Sequence, residues 1–150
     1  MTVRLSGPPR RAGLPAVDLR LLRSRARRIL RELGASRAEL SVSLVDDAEI
    51  AALNDTYRGR SRPTDVLAFS LREGANPQFR GRLLGDVVIG IETAARQARK
   101  RHRALDEEVA RLLIHGTLHL FGHDHHETEE TRAMRAQERR LWSAVRSVDA

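Results

Sequence analysis

Five of the six histidines fall between His115 and His126. His115 and His119 are four residues apart, so on a helix both rings leave the same face, one turn from each other. Gly122 follows, a residue that accepts the left-handed conformation that closes helices. The chain can then turn back and bring His125 toward the first two rings. Three neutral imidazoles converging in this way make a tetrahedral zinc site with its fourth position open, the catalytic arrangement rather than the closed structural one. One histidine on a solvated helix face would carry no such meaning. Three at this spacing, broken by a glycine, point to one zinc ion per chain on His115, His119 and His125. Asp124 could accept the second ring N–H of a ligand histidine and fix its tautomer, or could be a turn residue only. His123 and His126 are spare imidazoles.

The spacing H-x-x-x-H-x-x-G-x-x-H is that of metzincin proteases, with one difference. Those enzymes carry Glu directly after the first His as general base, and here that position is Gly116. The metal cage is kept and the protease base is missing. Zinc lowers the pKa of a bound water to roughly 7, and it can equally polarise a phosphoryl or carbonyl oxygen. If the target is a phosphodiester, negative charge grows on its non-bridging oxygens, and a guanidinium meets that charge in a bidentate way. Tyr57-Arg58-Gly59-Arg60-Ser61-Arg62-Pro63-Thr64-Asp65 reads as a loop and is the best supplier of one. Arg58 is the candidate catalytic arginine. Arg60 and Arg62 would hold the flanking backbone, so Arg58 and Arg60 are the candidate substrate-binding pair.

The composition supports such a substrate. The net charge is +7, and Lys100 is the only lysine among 27 basic residues. Biased codon usage explains arginine in place of lysine, but not the surplus over acids, which favours a polyanionic partner, nucleic acid first. There is no cysteine. Thiolate ligands are therefore excluded, and any metal must sit on histidine and carboxylate. The absence also fits a reducing cytosol. No apolar leader and no run of membrane-spanning length is present, so a cytoplasmic protein without membrane contact is expected.

The elements that must hold these residues follow from periodicity. One hundred and fifty residues, 41% of them hydrophobic, are expected to form one domain over 1–150. Residues 1–15 are poorly patterned: Thr2–Leu5 could be an edge strand or a loose tail. Leu22, Ala26, Ile29, Leu30 and Leu33 have helical spacing, and Gly34 ends that helix. Leu40, Val42 and Leu44 alternate with serines, as in a strand with one buried face. Asp46 and Glu49 resemble a capping box opening a short helix to about Asn54. Val66–Leu71 reads as a strand, Arg72–Arg82 as a connection, and Leu83–Ile91 as a strand buried on both faces. A helix runs from Glu92 to about Arg103, with a basic end that suits the helix dipole. Asp106-Glu107-Glu108 opens the histidine-bearing helix. Glu108 falls on the stripe of His115 and His119, although first-turn charge is its simpler role. A last helix runs from Glu127 to about Val145, with Met134, Leu141 and Val145 toward the core.

With these residues set out, the sequence resembles the YbeY family of bacterial metallo-endoribonucleases, also called rRNA maturation factors. His115-Gly116-Thr117-Leu118-His119-Leu120 with Gly122, Asp124 and His125 is similar to the family's H-G-x-L-H-L-x-G-Y-D-H. Leu53-Asn54, Tyr57-Arg58 and Pro63-Thr64-Asp65-Val66-Leu67-Ala68-Phe69 are similar to L-N-x-x-Y-R and P-T-D-V-L-S-F. Gly85-Asp86-Val87-Val88-Ile89 fits G-D-I-x-I, and Met134 with Glu138 fits M-x-x-x-E. His123 stands where the family usually has Tyr, and Ala68 where it usually has Ser. The resemblance implies a single α+β domain: a small mixed sheet of about four strands, packed with about five helices, one of them a zincin-like metal-binding helix. It implies zinc on His115, His119 and His125, with Arg58 as the functional arginine. It also implies single-strand endoribonuclease activity on ribosomal RNA, including 16S rRNA 3′-end maturation and ribosome quality control. The partners implied are single-stranded ribosomal RNA, the small ribosomal subunit and its assembly proteins. With aromatics only 3% of the chain, recognition is expected to lean on phosphate contacts rather than stacking. Two rival readings are a non-catalytic assembly factor with a structural metal and a zinc metalloprotease lacking the usual Glu base.

Overall fold

Alternating apolar residues build a four-stranded sheet with two unlike faces. A computed structural model describes residues 2–71, 83–123 and 128–149. The strands are β1 (Thr2–Ser6), β2 (Glu39–Val45), β3 (Val66–Ser70) and β4 (Leu83–Gly90), in the order β1-β2-β4-β3. β1 and β4 run parallel to β2, and β3 runs antiparallel to β4, so the sheet is mixed. Five helices complete the described residues: α1 (Leu19–Glu32), α2 (Asp47–Arg58), α3 (Ile91–Lys100), α4 (Leu105–Leu120) and α5 (Thr128–Val145). This is the α+β architecture expected. No described helix is long and apolar enough to cross a membrane.

The two faces bury separate cores. Leu40, Val42, Leu44, Val66, Val87 and Ile89 point into a large cluster with Ile29, Leu113, Ile114, Leu118, Met134 and Leu141 from α1, α4 and α5. Val45, Leu67 and Val88 point the other way, with Phe69 packed alongside, and are covered by Ile50 and Leu53 of α2. The period of two along β3 therefore decides what each residue does. Val66 and Ala68 face α4, while Leu67 and Phe69 face α2.

Local chemistry sets the ends. Asp18 accepts a hydrogen bond from Leu21 N at 3.0 Å, and Asp46 from Glu49 N at 2.9 Å, each capping a helix. The expected stop of α2 near Asn54 is wrong by a turn: Tyr57 and Arg58 belong to the helix, not to the loop. Gly59, at φ 68°, caps it there, its N–H donating to Asp55 O at 2.9 Å. β1 is a strand, not a tail, because Val3 is buried in the large core. The expected connection Arg72–Arg82 lies outside the described residues.

Candidate metal centre

The end of α4 is built to point two imidazoles at one spot. Phe121 is its C-cap. Gly122 N donates to His119 O at 3.0 Å and His123 N to Leu118 O at 3.1 Å, the paired bonds of a Schellman turn. Gly122, at φ 89°, takes the left-handed step this turn requires. One turn before it, the Nε2 atoms of His115 and His119 stand 3.1 Å apart, with their ring planes at 69°.

That separation fits a shared metal. Zinc holds imidazole nitrogens at roughly 2.0–2.1 Å, so two nitrogens of one tetrahedral site stand roughly 3.3 Å apart. Glu138 Oε2 of α5 lies 3.8 Å from Nδ1 of His115, an ion-pair distance rather than a hydrogen bond. A carboxylate on that side is placed to orient the ring, whose Nε2 faces His119. Among the described residues no group of three candidate ligands is assembled. The expected third ligand His125, the adjacent Asp124 and the spare His126 lie outside the described residues.

The two rings line a cleft of about 370 Å³. Its lining also includes Val66, Ala68 and Ser70 of β3, and Arg58, Thr64 and Asp65. Arg58 thus shares one cleft with His115 and His119, although 57 residues separate Arg58 from His115 in sequence. His123, spare on the sequence reading, also lines it. Arg60 and Arg62 are exposed on the loop that follows and are not among the lining residues.

The arginine loop is fixed from below. Asn54 is 2% exposed; its Nδ2 donates to Arg62 O at 2.9 Å, and its backbone O accepts from Arg60 N at 3.4 Å. Ser61 Oγ donates to Asp55 Oδ1 at 2.7 Å. Asp65 accepts from its neighbour Val66 N at 2.7 Å and from Gln97 Nε2 at 3.2 Å, which ties the start of β3 to α3. Glu138 and Asn54 were not singled out for these roles by spacing. The only signal for either was its place in a family motif.

Glu108 has a different part from the two weighed for it. It is fully buried and accepts from Arg101 Nη1 at 2.6 Å and Arg103 Nη1 at 3.2 Å. It is absent from the cleft and lines a second hollow behind His115. Its ion pairs lock the turn between α3 and α4, and with it the start of the histidine helix.

Residues 16–146 match the family model described as endoribonuclease YbeY. A relative from Anaeromyxobacter sp. (strain Fw109-5), named endoribonuclease YbeY, is 47% identical over 150 residues, all of this chain and 75% of the relative. Another of that name from Syntrophus aciditrophicus is 39% identical over 128 residues, 84% of this chain and 80% of its own length. The solution structure of TM1509 from Thermotoga maritima superposes with a TM-score of 0.58 at 25% identity, covering 95% of this chain and 92% of that one. The motifs, the mixed sheet and the histidine-bearing helix agree with these likenesses, and the chain belongs to the endoribonuclease YbeY family.

Proposed function

We propose that this protein is a zinc-dependent endoribonuclease that cuts single-stranded ribosomal RNA in the cytoplasm, in 16S rRNA 3′-end maturation and ribosome quality control. The observation that carries the reading is the shared cleft, lined by His115, His119 and Arg58, with the two imidazole Nε2 atoms 3.1 Å apart. Family membership supplies the reaction class. The ribosomal substrate, the small-subunit partners and the assembly proteins rest on the family resemblance.

His115, His119 and His125 would hold the zinc, which when bound supplies a Lewis acid and a water that ionises near neutral pH. Arg58 meets the non-bridging oxygens of the scissile phosphodiester and strengthens its hold as charge grows there. Glu138 orients the His115 ring. Asn54 fixes the loop that carries Arg60 and Arg62 along the flanking backbone.

The protease alternative loses support at Gly116, where the metzincin carboxylate would have to fit between α4 and β4. The assembly-factor alternative predicts that Arg58→Ala leaves the cellular role intact. His119→Ala is expected to lose both zinc and RNA cleavage. Arg58→Ala is expected to keep zinc and lose about 10²–10³-fold in kcat. Zinc content by elemental analysis, measured beside cleavage of an unstructured oligoribonucleotide, decides between the readings. Full cleavage by metal-free protein would end this one.

A further inference from the structure

Tyr57 is the chain's single tyrosine and is 64% exposed, more than Leu19 at 37% or Leu71 at 40%. Its ring leans on Phe69, with centroids 4.7 Å apart and planes at 55°. Phe69 packs in turn on the small core of Ile50, Leu67 and Val88. The tyrosine ring is therefore propped from beneath while most of its surface meets solvent. A ring held this way has little freedom left to lose when a ligand lies on it.

Its surroundings are cationic. Arg58 follows it directly and lines the cleft, and Arg60 and Arg62 are exposed on the next loop. Several other arginines are paired: Arg28 with Glu32, Arg96 with Asp47, Arg101 with Glu108, Arg111 with Glu107. Among the described residues no carboxylate is paired with Arg58, Arg60 or Arg62. β3 separates the cleft from the ring. Val66, Ala68 and Ser70 line the cleft, and Phe69, between the last two, carries Tyr57 on the opposite side. β3 is also the outer strand of the described sheet, so the cleft and the ring lie on either side of one sheet edge.

We propose that Tyr57 is a base-stacking subsite. An unpaired nucleobase of the RNA, flanking the phosphate held in the cleft, lies on its exposed face while Arg60 and Arg62 take neighbouring phosphates. The proposal deepens the ribonuclease reading and rests on it. In a duplex both faces of a base are covered by its neighbours, so only a splayed strand can use the ring. Selection for single strands then follows from one side chain. The scarcity of aromatic residues fits this economy: stacking is confined to one nucleotide position. Exposed tyrosine beside arginine is also the chemistry of protein-binding hot spots. The adjoining cleft and the uncompensated guanidiniums favour nucleic acid.

The test uses the zinc-loaded full chain and short unstructured oligoribonucleotides, with an abasic residue or 2-aminopurine placed at successive positions. Tyr57→Ala and Tyr57→Leu are expected to raise KM by roughly 5- to 100-fold with kcat little changed, and Tyr57→Phe to keep the wild-type KM. Leucine keeps an apolar contact with Phe69 but offers no π face, so it separates stacking from packing, and melting temperatures report on folding. An abasic residue at one position should raise the wild-type KM and leave that of Tyr57→Ala unchanged. Binding is read independently of cleavage by quenching of 2-aminopurine at that position, which Tyr57→Ala should abolish. If the wild type does not cut RNA, the ribonuclease reading fails, and the quenching arm still decides the subsite. An unchanged KM in Tyr57→Ala, or undiminished quenching, overturns the proposal and leaves the ring to a protein partner.

Discussion

A Cβ built on Gly116 would stand 2.8 Å from Cγ1 of Val87 and 3.2 Å from Cγ2 of Val66. The helix that carries the imidazoles lies so close on β3 and β4 that a side chain at this position would have to displace Val87. The residue after His115 is glycine for packing as well as for chemistry. Gly116→Ala is expected to cost about 1–3 kcal/mol through overpacking, read as a lower melting temperature. Gly116→Glu, which restores the protease pattern, is expected to lose more stability and to gain no peptidase activity. A stable Gly116→Glu protein that cleaves peptides would contradict this account of the helix–sheet contact.

Glu138 stands 3.8 Å behind the ring of His115, on the side away from the shared nitrogen position. Partners of this kind orient a ligand histidine, and their loss commonly costs roughly 10–100-fold in metal affinity. Glu138→Ala is expected to show that loss in a competition titration against a zinc chelator. Glu138→Gln should lose less, because the amide keeps the side chain's shape and a polar oxygen beside the ring while losing only the charge. Equal affinity in all three proteins would remove Glu138 from the site.

Much of this was legible in the sequence because it was local. The i,i+4 pair His115 and His119, the closing Gly122 and the alternation of Leu40, Val42 and Leu44 each report on neighbours within one element. The end of α2 was misjudged because Asn54 is polar and the arginine run looks like a loop, while Gly59 provides the cap. Residues whose work is done across the fold left no periodic trace. Glu138 meets His115 only because α5 packs on α4, and Asp65 meets Gln97 only because β3 starts beside α3. Arg58 was singled out for its chemistry. Its approach to the imidazoles depends on the place of β3 beside β4, which no spacing encodes.

Among the described residues, buried Asn54 holds both Arg60 and Arg62 by their backbones. Asn54→Ala removes the Nδ2 donor and leaves Arg62 O without it, at a cost of about 1–3 kcal/mol. Loosening the loop should raise KM for RNA more than it lowers kcat, since Arg58 itself sits in the helix. Zinc content should not change. Steady-state kinetics with elemental analysis on one preparation check both statements, and a loss of zinc would place Asn54 closer to the metal site than its contacts do.

Removal of the partners around Glu108 should be asymmetric. The carboxylate is 0% exposed, whereas the Arg101 and Arg103 side chains are 50% and 30% exposed. In Glu108→Gln both guanidiniums can turn to water, so the cost is the weakening of two charge-assisted hydrogen bonds, about 1–3 kcal/mol. In the double variant Arg101→Ala/Arg103→Ala the carboxylate stays in the interior with its cations gone, and about 3–5 kcal/mol is expected. Urea unfolding of the two proteins at one pH and ionic strength gives the order directly. If Glu108→Gln proves the less stable, water reaches the carboxylate once the arginines are gone, and the α3–α4 turn is held by packing rather than by charge.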